Sequence, residues 1–361
     1  MLSVVSVVVW GAVTARAMER IVVDKAGHGF VLEKSRREFH PWGLNYGNHG
    51  RLIEDFWNSE WSTVETDFTE MKRIGANVVR VHLQFGKFMI AADRANSKEL
   101  DRLAKLLDLA ERTGIYLDLT GLACYRTADV PGWYDALSQS DRWKAQGAFW
   151  EAVADRCRES PAVFCYDLMN EPFVPGGPRK PGDWYSGHLL GGYDFIQFVT
   201  LDPAGRPRED VARDWTRKMA KAVRRKDPSR LVTVGLLPWS KEWGFLSGFV
   251  PEKIAPDIDF ISVHIYPEKG KVDGAVEVLK KFAVGKPVVI EETFPLACGI
   301  DELKSFIERS PQASGWLGHY DGQSPQELSR LRDEGKLTLG QAMYLDWLRL
   351  FEKLGPKHRG D

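Results

Sequence analysis

Two apolar stretches of the sequence end in acidic side chains where turn residues would be expected. "AVFCYDLM" (162–169) runs directly into Asn170, Glu171 and a proline, and "PVVI" (287–290) runs into Glu291 and Glu292. Two carboxyl groups facing each other across a cleft are what hydrolysis of an acetal requires, because one protonates the leaving oxygen and the other attacks the anomeric carbon or activates water. The first hypothesis is therefore an acid/base and nucleophile pair, and the alternative is a set of solvated loop residues.

Other apolar stretches also end in polar or aromatic side chains. These are Asn45 and Tyr46, Arg80 and His82, Asp118 and Thr120, His264 and Tyr266, and Trp316 followed by His319 and Tyr320. A cation beside a carboxylate lowers its pKa, so Arg80 is suited to keep one acidic group ionised. The phenol of Tyr266 can donate a hydrogen bond to the same group. The structural alternatives are an ion-pair partner for Arg80 and core residues for His264 and Trp316.

These side chains converge only if their strands belong to one sheet, and hydrophobic periodicity predicts such a sheet. Strands are predicted at 40–46, 77–83, 115–121, 162–169, 231–237, 259–266, 287–294 and 313–320. Helices are predicted between and after them at 62–75, 97–113, 140–157, 208–226, 274–283, 301–309 and 339–353, the first opened by a capping box from Ser62 to Glu65.

Eight apolar strands alternating with helices predict a single (β/α)₈ barrel, preceded by a short N-terminal β-hairpin within 21–39. An open doubly wound sheet is the competing architecture, but the first strand is not followed by a Gly-rich phosphate turn. In a barrel of this kind the active site lies at the C-terminal ends of the strands. The long irregular segment 173–207 directly follows Glu171, and a connection of that length predicts a functional loop, with Trp184, Tyr185 and Tyr193 as candidate contacts.

Composition narrows the class of protein. The chain has 361 residues, a net charge of −1 and no basic run, which argues against a nucleic-acid partner. Its 13 tryptophans are a high number, and tryptophan suits flat, half-apolar surfaces such as sugar rings as well as protein cores. Trp57, Trp133, Trp184, Trp239 and Trp243 fall in predicted loops at the same end of the barrel. The four cysteines have no metal-binding spacing, so we expect neither a zinc site nor an essential disulfide.

The first 17 residues differ from the rest of the chain. The apolar run "LSVVSVVVWGAV" is followed by Ala15-Arg16-Ala17, which has the form of a signal-peptidase site, and the run is short for a membrane span. We therefore expect residues 1–17 to be a signal peptide and 18–361 a secreted or periplasmic domain. The alternatives are a retained membrane anchor and a wrongly assigned start codon, because no Lys or Arg precedes the apolar run.

Taken together, "NVVRVHL", "YDLMNEP", "SVHIY", "PVVIEETF" and "GWLGHY" resemble the retaining glycoside hydrolases of family 5, the cellulase and mannanase superfamily. The resemblance implies that Glu171 is the acid/base and Glu292 the nucleophile, and that Asn170 binds the sugar 2-hydroxyl. It also assigns substrate contacts to Arg80, His264, Tyr266 and Trp316. The chain departs from the pattern at Thr120, where many relatives have histidine, and this departure bears on the substrate. The "EET" of the seventh strand is a second departure, and the two together leave a catalytically silent barrel as an alternative.

The expected activity is thus hydrolysis of a β-linked oligo- or polysaccharide of glucan or mannan type by a monomer, without metal or cofactor. A catalytically silent barrel that binds carbohydrate is the alternative. Strand alternation points only one of Glu291 and Glu292 inward, and the offset from Pro287 in the family favours Glu292. The sugar, the linkage and the choice between endo and exo action remain open. A serine hydrolase is disfavoured because the sequence lacks a G-x-S-x-G elbow.

Overall fold

The N-terminal segment forms a small antiparallel sheet that closes one end of the molecule. The computed structural model describes residues 18–238 and 246–359, so the predicted leader, Trp239 and Trp243 lie outside the described residues. The sheet consists of β1 Ile21–Val23, β2 Phe30–Leu32 and β3 Glu38–Phe39. The first two strands form the predicted hairpin, and β3 is an addition to it.

Eight strands close into the predicted parallel barrel. The remaining strands are β4 Trp42–Gly47, β5 Val78–Gln84, β6 Met89–Ala91, β7 Arg94–Ala95, β8 Tyr116–Ala123, β9 Val163–Asn170, β10 Pro172–Phe173, β11 Gln197–Phe198, β12 Leu231–Leu236, β13 Ile261–His264, β14 Val288–Glu292 and β15 Gly315–Asp321. The barrel contains β4, β5, β8, β9, β12, β13, β14 and β15, which are its first to eighth strands in chain order, and β15 pairs with β4 to complete the ring. The predicted fold class is therefore confirmed.

Helices surround this barrel and bury the outer faces of its strands. They are α1 Trp61–Arg73, α2 Phe85–Phe88, α3 Ser97–Thr113, α4 Gly132–Asp135, α5 Gln139–Cys157, α6 Arg208–Arg224, α7 Pro251–Ile254, α8 Val272–Lys280, α9 Ile300–Glu308, α10 Pro325–Asp333 and α11 Leu339–Arg359. Because the strands are covered on both sides, they read as nearly continuous apolar runs. Within the described residues, no helix combines the length and the apolar character needed to cross a bilayer.

The predicted start of α1 is wrong. The helix begins at Trp61, its N-cap residue is Glu60, and no side chain caps it. The carboxylate of Glu60 instead pairs with Arg51, at 2.8 Å from the guanidinium. Ser62 therefore lies inside the first turn, where its backbone is already helical and its side chain cannot act as an N-cap.

The N-terminal sheet determines which end of the barrel is open. Phe30 packs edge-on against Phe164 and Phe260, with ring centroids 5.2 Å apart in both cases. The same apolar cluster includes Val78 and Tyr116, which are the first residues of β5 and β8, the second and third barrel strands. The cluster fills the N-terminal end of the barrel, so only the C-terminal end is left for a site.

Candidate active site

The predicted site residues meet at the C-terminal mouth of the barrel, with the exception of Trp316. Five of them lie at or just beyond the ends of the fourth, sixth and seventh barrel strands: Asn170, Glu171, His264, Tyr266 and Glu292. Arg80 lies within the second barrel strand, and its side chain reaches the same place. Hydrogen bonds and the ion pair of His264 with Glu292 connect them in a single network. Their convergence follows from parallel strands that all end at the same rim.

Arg80 is the central cation of this network and is fully buried. Its guanidinium donates to Glu292 Oε1 at 2.5 Å, to Asp167 Oδ2 at 2.7 Å and to Asn170 Oδ1 at 3.0 Å. It also donates to Asn45 Oδ1 at 2.9 Å, and Asn45 Nδ2 in turn donates to the backbone oxygen of Glu291. One planar cation thereby fixes the positions of the amide and the carboxylate that face the mouth.

Removing the Arg80 charge should destabilise the fold as well as lower turnover. The expected position of Arg80 beside a catalytic carboxylate predicts that Arg80→Ala loses turnover with little loss of stability. The burial of Arg80 among carboxylates revises that prediction. Breaking a buried ion pair from one side costs about 3–5 kcal/mol, because the remaining charges are left uncompensated. We therefore expect Arg80→Met to lower the free energy of unfolding by about that amount in a urea titration.

The matched control for this prediction is Arg112→Met, which removes an exposed arginine that pairs with Glu65 at 3.5 Å. A solvated surface pair contributes little, so this variant should unfold like the wild type. Equal stability of the two variants would mean that the buried network of Arg80 does not stabilise the fold.

A β-bulge lets both glutamates of the seventh barrel strand approach Arg80. The pairing of β13 with β14 shifts register, from Val263 opposite Ile290 to His264 opposite Glu292. Glu291 Oε2 lies 3.4 Å from the Arg80 guanidinium, and Glu292 Oε1 lies 2.5 Å from it. The expectation that strand alternation would point only one glutamate inward is therefore wrong, because alternation fails where a residue is inserted.

The two glutamates differ in their access to a substrate. The Glu291 side chain is completely buried, and its Oε1 accepts from Ser262 Oγ at 2.9 Å. The Glu292 side chain keeps 12% of its surface exposed, and its Oε2 accepts from the Tyr266 hydroxyl at 2.6 Å. Burial alone would raise the pKa of Glu292, but the charges of His264 and Arg80 lower it well below its ordinary value. Glu292 is therefore an ionised carboxylate that faces the mouth.

Glu171 reaches the mouth through an unusual backbone conformation. Its φ of +46° is in the left-handed region, which non-glycine residues seldom adopt and which is concentrated at functional sites. Its backbone N–H donates to the Gly235 carbonyl of the fifth barrel strand at 2.9 Å, which holds this turn in place. As a result Asn170 and Glu171, although adjacent in sequence, both join the network, and Glu171 Oε1 lies 2.9 Å from His264 Nδ1.

His264 is buried between three carboxylates. Its Nδ1 lies 2.9 Å from Glu171 Oε1 and 3.6 Å from Glu292 Oε1, and its Nε2 lies 3.4 Å from Glu291 Oε2. Burial opposes a charge on the ring, but Glu292 and the hydrogen bonds to Glu171 and Glu291 raise the pKa of His264 to about 10. The imidazolium form therefore dominates at neutral pH, and both of its N–H groups can donate to carboxylates.

The raised pKa of His264 gives a direct spectroscopic prediction. The ring resonance of His264 can be assigned by its loss in the His264→Asn variant. In an NMR titration this resonance should change near pH 10 and not near the ordinary histidine pKa of about 6.5. The stabilising effect of this charge should be complete below about pH 6.5 and should be lost as the pH rises through 10, because the folded state holds the proton more tightly. Glu292→Gln should lower the titration point, since it removes the charge that most favours the imidazolium.

The surface variant Glu268→Gln serves as the control in that titration and should leave the His264 resonance unchanged. An ordinary titration point for His264 in the wild-type protein would contradict the assigned charge state. So would a Glu292→Gln variant in which the point does not move.

Two buried acids lie beneath the mouth, and only Asp118 is among the residues that the sequence indicates at strand ends. Asp167 is missing from that set. Asp167 accepts from Arg80, from Thr120 Oγ1 at 2.9 Å and from the Gly235 backbone N–H at 2.8 Å. Asp118 is fully buried, and burial together with the charge of Glu291 raises the pKa of its carboxyl group well above the ordinary value. The sequence does carry a signal for Asp167, because it is an acidic residue inside an apolar strand and a buried acid needs a partner.

Gly235 and Thr120 show how tightly the buried residues around Arg80 and Asp167 are packed. A Cβ atom at Gly235 would lie 3.0 Å from His264 Nε2 and 3.2 Å from both Arg80 and Glu291. Any side chain there would push the network apart. Thr120, at the position where many members of the resembled family have histidine, is fully buried and bonded to Asp167, so its hydroxyl supports Arg80 from below.

Trp316 is a core residue, and its predicted contact with substrate is wrong. It is the second residue of β15, far from the C-terminal end of that strand, and only 3% of its surface is exposed. Its ring packs edge-on against Phe306 of α9 at 5.4 Å. The strand contributes His319 to the mouth instead, with Nε2 3.0 Å from the Tyr266 hydroxyl.

The segment 173–207 is divided between packing and the mouth. Trp184 and Tyr185 are buried, and both bond to Asp135 of α4, so they are not exposed to a ligand. Trp57 is also buried, with its indole N–H on Glu99. Phe195 and Tyr193, which are partly exposed, lie at the mouth, where the Phe195 carbonyl accepts from Asn170 Nδ2 at 3.2 Å. Of the three aromatic contacts predicted in this segment, Tyr193 is the one placed at the mouth.

The central trio also has the composition of a metal site. Glu171, His264 and Glu292 each offer one ligand atom, and these atoms lie within 4.8 Å of one another. Hydrogen bonds and ion pairs within the trio already account for its arrangement. The same geometry brings an ionised carboxylate and a second carboxyl group to opposite sides of a small space, which suits attack on an acetal carbon and protonation of its leaving oxygen.

Comparison with known proteins places this site in a family. The model of the cellulase family, glycosyl hydrolase family 5, matches residues 34–293, which hold every residue of the network except His319. Mannan endo-1,4-beta-mannosidase F of Aspergillus clavatus is 27% identical in an alignment of 222 residues that covers 54% of this chain. The chain spans 44% of the length of that relative.

Solved structures share the fold at low sequence identity. An exo-beta-1,4-mannosidase from Opitutaceae bacterium strain TAV5 superposes with a TM-score of 0.66 at 16% identity, over 93% of this chain and 63% of the other. The beta-1,4-mannanase of the sea hare Aplysia kurodai superposes with a TM-score of 0.58 at 16% identity, over 88% of this chain and 95% of the other. Since the family model covers most of the barrel and both glutamate positions, the chain belongs to glycosyl hydrolase family 5.

Proposed function

We propose that this protein is a retaining β-glycosidase that hydrolyses β-mannosidic bonds. The observation that carries the proposal is the approach of Glu171 and Glu292, whose nearest oxygens lie within 4.8 Å of each other. Retaining enzymes place their two carboxyl groups about 5–5.5 Å apart, whereas inverting enzymes need about 6.5–9.5 Å to admit a water molecule. The short separation supports direct attack by a carboxylate.

In the first step Glu292 attacks the anomeric carbon. Arg80 and Tyr266 each hold one of its oxygens, at 2.5 and 2.6 Å, which keeps the group ionised and correctly oriented. Glu171 gives a proton to the glycosidic oxygen as the bond to the leaving sugar breaks. The products of this step are the free leaving sugar and a glycosyl ester on Glu292.

In the second step water hydrolyses that ester. Glu171, now a carboxylate, removes a proton from the water, which attacks the anomeric carbon and releases Glu292. His264 contacts Glu171 and lies near Glu292, so its charge compensates whichever carboxylate is ionised at each stage. Each step inverts the anomeric centre, and the overall configuration is retained.

The mannoside specificity rests on similarity to mannosidases and mannanases, which include both endo- and exo-acting proteins. A panel of 4-nitrophenyl β-mannoside, β-glucoside and β-galactoside tests it. We expect turnover of the mannoside to exceed that of the other two. Preference for the glucoside would contradict the substrate assignment. Binding of mannosides without any turnover would favour a catalytically silent carbohydrate-binding barrel.

A further inference from the structure

A hairpin in the long loop after the fourth barrel strand stands beside the catalytic groups. We call residues 186–195 the mouth wall. Leu190 and Tyr193 exchange both backbone hydrogen bonds, at 2.9 and 3.1 Å, across Gly191 and Gly192. Both glycines have positive φ, 60° and 88°, as a two-residue type I′ turn requires. The tip of the mouth wall is therefore a tight turn with a defined conformation.

Asp194 fastens the base of the mouth wall. It is 1% exposed, and its carboxylate accepts from Ser186 Oγ at 2.5 Å and from the Gly187 N–H at 2.6 Å. Its own backbone N–H donates to the Tyr125 carbonyl at the end of the third barrel strand, at 2.8 Å. Short hydrogen bonds to a charged group are stronger than neutral ones. Asp194 therefore holds the two ends of the mouth wall together and fixes them to the rim of the barrel.

The far end of the mouth wall is bonded to the loop after the first barrel strand. The Tyr193 hydroxyl donates to the Gly50 carbonyl at 2.7 Å, and the Gly50 N–H donates to Asp321 at 2.7 Å. The guanidinium of Arg126 lies 5.8 Å from the Tyr193 ring centre and pairs with Asp55 at 2.5 Å. The mouth wall thus joins the loop after the fourth barrel strand to the loop after the first, and its base contacts Tyr125 just beyond the third strand.

The position of Glu171 indicates which side of the substrate meets this wall. Glu171 turns toward His264 on the sixth strand, whereas Asn170 turns toward Arg80 and the Phe195 carbonyl of the wall. The acid must contact the leaving oxygen, so the leaving sugar lies on the side of the sixth strand. The sugar that reacts with Glu292, and anything attached to its non-reducing end, lies on the side of the mouth wall.

We infer that the mouth wall makes this protein exo-acting, so that it removes single sugars from the non-reducing end of β-mannosyl chains. The inference rests on the proposed function. The wall touches Asn170 directly, and Phe195 also packs on Tyr125, whose hydroxyl lies 2.6 Å from His82. We therefore expect a sugar bound at Asn170 to meet the mouth wall next, and we expect the wall to block a chain that extends further in that direction.

Time-resolved mass spectrometry of reducing-end-labelled mannopentaose tests the inference. The wild-type protein should yield labelled mannotetraose first, followed by stepwise shorter labelled products. Replacing residues 188–193 by Asn-Gly should open the wall, so that labelled mannobiose and mannotriose appear among the first products. Tyr193→Phe removes only the hydrogen bond to Gly50 and should raise the fraction of internal cuts to a smaller extent. Leu189→Ser, at a side chain that is 67% exposed on the same tip, is the matched control and should leave the products unchanged.

The outcomes separate this inference from the proposed function. First cuts at internal bonds by the wild-type protein would overturn exo action alone, because hydrolysis would still take place. An unchanged product series from the variant with the shortened wall, provided that it still turns over 4-nitrophenyl β-mannoside, would also overturn it. Absence of turnover on both the aryl mannoside and mannopentaose would overturn the proposed function and the inference that rests on it.

Discussion

Replacing Glu292 by glutamine should lower kcat by at least about 10⁴-fold on every substrate, because removal of a catalytic nucleophile costs enzymes about that much or more. Glutamine keeps the shape of the side chain and its contact with Tyr266. It carries no charge, however, so it cannot attack the anomeric carbon. Because the nucleophile is needed whatever the leaving group, aryl mannosides with good leaving groups should be affected as strongly as oligosaccharides. Initial rates with 4-nitrophenyl and 2,4-dinitrophenyl β-mannoside measure the effect.

Glu291→Gln is the matched control for that loss. The two glutamates are neighbours, and both approach Arg80, but the Glu291 side chain is fully buried. Removing its charge disturbs the ion pairs with Arg80 and His264, so we expect lower stability with a smaller decrease in kcat. A kcat that falls by a larger factor in Glu291→Gln than in Glu292→Gln would reverse the assignment of the nucleophile.

Replacing Glu171 by alanine should produce a loss that depends on the leaving group. General acid–base catalysis contributes about 10²–10⁴-fold, and the full factor should appear with mannobiose, whose leaving group needs a proton. The first step on 2,4-dinitrophenyl β-mannoside should remain fast, because that leaving group departs without help. The second step still needs a base, so the glycosyl-enzyme should accumulate and a burst of dinitrophenol should be visible in stopped-flow measurements.

Azide provides the complementary test of Glu171. It needs no base, and the alanine leaves space for it, so it should restore turnover of the variant and give β-mannosyl azide. Glu171→Gln, which fills that space, is the control and should be rescued less. An equal loss on both kinds of leaving group, or α-mannosyl azide as the product, would contradict the acid/base role.

The elements of the barrel could be predicted because their signals are local. The helix α3 has the predicted bounds, 97–113, since Asn96 caps its start and Gly114, with φ of +65°, ends it. A similar signal nearer the C-terminus was overlooked, so α10 is missing from the predicted helices. Ser324 and Glu327 form a capping box at the start of α10, and the sequence S-P-Q-E shows it.

The errors arise where contacts distant in sequence decide the outcome. Ser62 has the spacing of a helix cap, but the N-cap position lies two residues earlier, at Glu60, whose side chain pairs with Arg51. Trp316 lies in the expected strand. Its position near the N-terminal end of that strand and its packing on Phe306 depend, however, on how the eight strands pair in the barrel. A sequence pattern carries neither kind of information.

The site itself was predictable in its residue types more than in its geometry. Arg80, Asn170, Glu171, His264, Tyr266 and Glu292 were found from strand ends and motif resemblance, and the network joins all of them. The orientation of Glu291 relative to Glu292 was not predictable, because the bulge in β14 is defined by the register of that strand with β13. The contact of the mouth wall with Gly50 likewise joins residues 143 positions apart, which no local pattern indicates.

Trapping the glycosyl-enzyme tests the proposed mechanism most directly. A 2-deoxy-2-fluoro-β-mannoside with a good leaving group should inactivate the protein. Fluorine slows both the formation and the hydrolysis of the glycosyl ester, but the good leaving group restores the rate of formation, so the ester accumulates. Fragmentation mass spectrometry of the labelled peptide can distinguish the adjacent glutamates. The mechanism predicts a single 2-fluoromannosyl group on Glu292. A label on Glu291, or a fully active protein without a label, would contradict it.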